Sequence, residues 1–244
     1  MKRLVLAVSV LGISAASALA ADLAPYTKAP AVPAGYDWSG IYIGVNGGYG
    51  SANNCWDLNT LGTTSLLGEG CSNATGGVAG GQFMYRFQAT RNLVFGMEAQ
   101  GDWAALKGSN ASNILPGVIN QSKVDAFGLF TGHFGWAVDN SLFYAKTGIA
   151  VTDNQFTGLA AGTAFDQGTQ TRLGYAAGVG YEYAFARNWT AGIEYNHFFM
   201  FQSANNLNPI ASNGLFRVDS IQQNIDLVTV KVDYHFGGPV VAKY

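Results

Sequence analysis

Hydrophobic and polar residues alternate one by one along much of this chain, most cleanly in LVTVKVDYHF at 227–236. Val228, Val230, Val232, Tyr234 and Phe236 share one face there, and Leu227, Thr229, Lys231, Asp233 and His235 share the other. That two-residue period is the signature of a strand. The same pattern predicts eight strands, at about 38–49, 77–88, 93–105, 122–136, 142–152, 171–185, 189–201 and 221–236. Three connections are short and polar, ATRN at 89–92, VDNS at 138–141 and ARN at 186–188, as antiparallel hairpins require. The others, at 50–76, 106–121, 153–170 and 202–220, are long and rich in Asn, Gly, Ser and Thr. RNLVFGME at 91–98 and RNWTAGIE at 187–194 place Arg-Asn, Gly and Glu at equal spacing, a weak internal repeat in the same register.

An oily face can point into a soluble core or out to lipid. The first face carries Ile41, Ile43, Val45, Phe83, Tyr85, Phe87, Phe95, Met97, Phe130, Phe134, Phe143, Ile149, Tyr175, Val179 and Ile193. The second carries five basic residues, Arg86, Lys123, Lys146, Arg172 and Lys231. It also carries six acidic ones, Glu98, Asp102, Asp125, Glu182, Glu194 and Asp233. Many of the strands are long enough to cross a hydrocarbon layer when tilted. Aromatic residues gather near the short turns, at Trp38, Phe87, Trp136, Phe143, Phe185, Trp189 and Phe236, where an interfacial girdle belongs. The balanced charges suit a narrow interior, in which a charge must find a partner. The reading is an all-β, eight-stranded antiparallel up-and-down transmembrane β-barrel with its oily face toward lipid and its charges in the lumen.

Composition points the same way. Charged residues make up 11% of the sequence, too few to cover a soluble domain of this length comfortably. The chain opens with Lys2 and Arg3, an apolar run and Ala18-Leu19-Ala20, the pattern of a secretory signal peptide over 1–20 cleaved between Ala20 and Ala21. A proline-rich linker over 21–37, the barrel over 38–236 and a tail over 237–244 complete the expected organisation. Loss of Lys2 and Arg3 takes the formal charge from −2 to −4, which leaves no footprint for nucleic acid. Cys55 and Cys71 lie together in one long connection, and an exported chain favours a disulfide between them over two free thiols. That connection holds no histidine, so a metal site is not expected there.

Several segments carry a family likeness: WSGIYIGVNGGYG, GGQFMYRFQ, LFYAKTGIA, LGYAAGVGYEYAFARNWTAGIEY and VKVDYHFGGPVVAKY. In this order they resemble the small outer-membrane β-barrel porin family of alphaproteobacteria, whose barrel is similar to the OmpA transmembrane domain and to heat-resistant agglutinins. The resemblance implies outer-membrane location, assembly by the barrel-insertion machinery, and structural or surface-interaction roles. Short turns and termini would be periplasmic and the long loops extracellular, amid outer-membrane lipid and lipopolysaccharide and open to surface ligands. Relatives often read Arg-Gly-Arg where this chain has Thr131-Gly132-His133, which puts a shared lumen network in doubt. No peptidoglycan-binding domain follows the barrel, so wall anchoring does not carry over.

The leading expectation is a structural barrel that contributes to outer-membrane integrity, and the alternative is a small-conductance porin for ions or small solutes. A lipid-modifying enzyme would need an oriented nucleophile, and no G-x-S-x-G elbow occurs. A soluble carrier of the lipocalin type is the last competitor. His133, His197 and His235 lie on different strands at different depths, so no catalytic residues, metal ligands or cofactors are expected.

Overall fold

The computed structural model describes residues 35–59, 66–201, 203–209 and 217–237. The signal-peptide and cleavage positions, most of the linker and the tail beyond Gly237 lie outside those residues. Nine strands form one antiparallel sheet: β1 (Gly40–Asn59), β2 (Leu66–Gln88), β3 (Leu93–Ala111), β4 (Val118–Val138), β5 (Ser141–Ala160), β6 (Thr163–Ala186), β7 (Trp189–Met200), β8 (Ser203–Pro209) and β9 (Arg217–Phe236). Each strand pairs with its sequence neighbour through β7, and β1 pairs with β9 from Ile41↔Phe236 to Leu58↔Asp219, which closes the sheet into a barrel. β7 and β8 both pair with β9, so together they make one interrupted stave and the ring has eight.

The short turns are clasped by asparagines. The carbonyl of Asn92 accepts from the Ala137 N–H at 2.6 Å, and its side-chain amide donates back to the Ala137 carbonyl at 2.7 Å. Asn140 makes the same reciprocal pair with Ala184, and Asn188 makes it with His235. Each clasp extends the ladder by one side-chain rung and satisfies backbone groups that a turn would otherwise leave open.

The outer wall carries the belt. Val45, Phe83, Met97, Phe130, Ile149, Val179, Ile193 and Val230 all face outward. Trp136, Phe143, Phe185, Trp189 and Phe236 ring the short-turn end, and Tyr49, Trp103, Tyr175 and Phe199 mark the far edge. On β1 the belt runs from Ile41 to Tyr49 and on β9 from Val228 to Phe236, roughly 20–25 Å of tilted strand. That height matches the hydrocarbon layer an outer-membrane barrel crosses.

Trp38 departs from the expected girdle. It is fully buried inside the barrel mouth, where its backbone N–H donates to Gln88 Oε1 at 2.8 Å. The chain enters the barrel there, ahead of β1, so strand alternation does not govern which way Trp38 turns.

The long connections are also different from loops. β1 and β2 continue well past the belt, paired to Asn59↔Leu66, and β5 and β6 continue to a two-residue turn at Ala161 and Gly162. Both turn residues have positive φ, 49° and 81°, the geometry of a tight hairpin. The barrel wall therefore rises beyond the membrane belt as paired strands.

Candidate functional site

The lumen is the place where chemistry-bearing side chains converge. Strand alternation aims Arg86 of β2, Glu98 of β3, Lys146 of β5, Glu182 of β6, Glu194 of β7 and Lys231 and Asp233 of β9 into one small volume. Arg86 grips Glu182 with two hydrogen bonds, at 2.8 and 2.6 Å, and Thr190 donates to the same carboxylate at 2.6 Å. Lys146 bonds Glu98 at 2.7 Å and also pairs with Glu194. Lys231 stands centrally, 3.3 Å from Glu182, 3.8 Å from Asp233 and 3.9 Å from both Glu98 and Glu194. Three cations thus face four carboxylates, and His133 adds a ring nitrogen 3.3 Å from Glu98. Such charges persist away from water only when each has a close partner of opposite sign or a hydrogen bond.

Neutral groups complete the cluster. Tyr144 donates to Glu194 at 2.7 Å, stacks on His133, and presents its ring to Lys231 at 5.1 Å. Arg86 lies over Tyr42, 4.7 Å from the ring centre, a cation–π contact. Asn196 donates to Glu194, and Gln82 donates to Asp233. Glycines make the room: a Cβ at Gly44 would meet Asp233 Oδ1 at 1.9 Å, and one at Gly180 would meet the Tyr144 ring at 2.3 Å.

Apolar layers close the lumen on both sides of this cluster. At the short-turn end Trp38, Val94, Ala137, Leu142 and Ala184 pack into a cap with Tyr36 against it. Tyr36 hydrogen-bonds His235 at 2.9 Å, and burial pushes its hydroxyl up to about 12, so it stays protonated. Toward the hairpin end Leu106, Val124, Phe127, Leu129, Phe198, Met200, Ile225 and Leu227 fill the cross-section. Above them Asn54, Asn154 and Gln223 are linked by hydrogen bonds, and Trp56, Phe156 and Ile221 form a third apolar layer. A groove of about 640 Å³ lies on the outer wall, between Trp136, Phe143, Tyr181 and Tyr195, where lipid rather than water reaches it.

The expected site residues sort into three groups. Arg86, Glu98, Lys146, Glu182, Glu194, Lys231 and Asp233 are brought together as described. Asp102 and Arg172 face inward but stand outside the ion cluster. Asp102 accepts from Gln100 at 2.8 Å, and Arg172 donates to the carbonyls of Phe201 and Ile221 at 2.8 and 2.5 Å, bracing the break between β7 and β8. Lys123 and Asp125 require correction: they face outward and pair with each other. A bulge between Val124 and Ala126 inserts a residue into β4, so the parity that holds from Phe127 to Val138 reverses below it.

Cys55 and Cys71 are bonded, but as directly opposed residues of the paired β1–β2 hairpin with Cα atoms 4.0 Å apart. The disulfide expected within a long connection is therefore a cross-strand rung of paired strands. The apolar layers were not among the expected site residues. Their signal was present, since Leu106, Leu129, Phe198 and Leu227 are apolar residues on the face that otherwise carries charge. Among the described residues no cluster of His, Cys, Asp and Glu has the arrangement of a metal site.

Comparison with known proteins places this architecture. The chain is 29% identical over 209 residues to the 31 kDa outer-membrane immunogenic protein of Brucella melitensis biotype 1, covering 80% of this chain and 85% of that one. The same protein of Brucella suis biovar 1 matches equally. Among solved structures it is similar to the outer membrane protein OprG from Pseudomonas aeruginosa, with a TM-score of 0.50, 11% identity, and 83% and 99% of the two chains covered. Residues 5–236 match the model of the outer membrane protein beta-barrel domain. With its closed ring of staves, its lipid-facing belt and this match, the chain belongs to the outer membrane protein β-barrel family.

Proposed function

We propose that this outer-membrane barrel is a structural element of the membrane rather than an enzyme or an open pore. The observation that carries the reading is the filled lumen, in which an ionic cluster lies between apolar layers. A hydrated ion crossing it would have to part the Leu106–Phe127–Phe198 layer and shed water, which costs several kcal/mol per charge. In this reading the short turns and termini face the periplasm. The paired hairpins stand outside the cell, amid lipopolysaccharide, as rigid platforms for surface ligands. The stiffness of those hairpins, with strands continuing to Asn59↔Leu66 and beyond the belt on β5 and β6, favours presentation over gating.

The test is a deletion strain. Loss of the gene should raise entry of an apolar dye and sensitivity to detergent, with uptake of small hydrophilic solutes unchanged. Restoration by wild-type protein and by a variant with a bulkier lumen would support a structural role. Selective loss of small-solute uptake would favour the small-conductance pore.

A further inference from the structure

Beyond the belt, outward-facing lysines and arginines are scarce. Among residues whose side chains are described, they occur there at two positions, Lys107 of β3 and Lys123 of β4, and these are direct cross-strand partners. Opposed like charges on a sheet destabilise it unless something of opposite sign sits between them. Asp125 pairs with Lys123, whereas the cross-strand neighbours of Lys107 are Thr75 and Lys123, neither of them acidic. The bulge in β4 is what turns Lys123 outward and creates the opposition.

Height identifies the ligand class. Trp103, 78% exposed, lies on the same face of β3 as Lys107 and marks the edge of the belt. Lys107 stands two outward-facing positions beyond it, with Lys123 opposite, at the level of lipid headgroups, where Trp rings and basic residues anchor proteins at an interface. Thr75 beside Lys107, and the Ser109–Gln121 pair next along the wall, add hydrogen-bonding side chains around the lysines.

We propose that Lys107 and Lys123 hold the phosphate of a phosphorylated glycolipid headgroup in the leaflet that surrounds the hairpin end. The identity of that leaflet as the outer one rests on the orientation given under Proposed function; the lysine pair and its chemistry do not.

The experiment uses the mature chain in phosphatidylcholine nanodiscs doped with a bis-phosphorylated glucosamine-disaccharide lipid or its dephosphorylated counterpart. Retained lipid is counted by native mass spectrometry. Nanodiscs offer the same lipids to both faces, so the result is independent of cellular orientation, which surface labelling of whole cells measures separately. Wild type should retain the phosphorylated lipid and release it as salt rises. Lys107→Gln/Lys123→Gln should weaken retention about tenfold or more, while Arg187→Gln at a short turn leaves it unchanged. Heat-modifiable migration verifies that each variant is folded. Equal retention of the dephosphorylated lipid, salt-independent retention by wild type, or full retention by the double variant would overturn the proposal.

Discussion

Lys146 is the residue whose loss should most expose how the lumen is held. Its ammonium bonds Glu98 at 2.7 Å and pairs with Glu194, and its side chain has no solvent exposure. Replacing it with methionine keeps the stem and removes the charge. Glu98 and Glu194 would then share Lys231, 3.9 Å from each, with His133 near Glu98 alone. Two cations would face four carboxylates. Breaking a buried pair from one side costs about 3–5 kcal/mol, and Lys146→Met should fall in that range. Glu194→Gln is milder: Lys146 keeps Glu98, and the amide oxygen can still accept from Tyr144, so the expected loss is about 1.5–3 kcal/mol. The double variant removes the repulsion along with the pair and should be less destabilised than the sum, with a coupling of about 1–3 kcal/mol. Urea unfolding of protein refolded into vesicles, followed by tryptophan fluorescence, measures all four corners of the cycle. A Lys146→Met loss below about 1 kcal/mol with additive effects would mean that water screens the cluster and that the lumen is open to solvent.

Other outcomes follow from separate parts of the barrel. Removing the Cys55–Cys71 bond by double serine substitution should lower stability by up to about 3 kcal/mol without preventing assembly, read from the urea midpoint; failure to reach the heat-modifiable form would contradict this. Gly148→Val should block assembly, because a Cβ there meets the Phe130 carbonyl at 2.0 Å, whereas Gly101→Ala, with nothing within 4 Å, should assemble normally on the same gel. Ile193→Lys on the belt should cost about 2–4 kcal/mol, and Asn224→Lys on the outer wall beyond Val228 should cost little; equal effects would remove the case for the belt's edge. Asn140→Ala should lower stability by about 1–3 kcal/mol through the orphaned Ala184 carbonyl, seen as an earlier urea midpoint.

The membrane-spanning part of the fold was legible because lipid imposes a period. Wherever a wall residue touches hydrocarbon it must be apolar, so Ile41 to Val45 and Val228 to Phe236 announce their strands. Above the belt that requirement lapses. On β1, Ala52, Asn54 and Trp56 face inward between Ser51, Asn53 and Cys55, an alternation of burial that hydrophobicity does not record. The long connections therefore looked like loops. The ion cluster followed from parity alone, and parity failed at Lys123 and Asp125, where a bulge of one residue has no signature in side-chain chemistry. The apolar layers were masked for a different reason: in a filled barrel both faces of a strand hold apolar residues, and only the ring as a whole assigns Leu106, Phe127 and Leu227 to one layer.

The most direct test of a closed lumen is single-channel recording of the refolded wild-type chain in a planar bilayer. A closed lumen should give a silent baseline, with neither the ionic cluster nor the Leu106–Phe127–Phe198 layer giving way at moderate voltage. Large, stable, long-lived openings of the wild-type protein would contradict it.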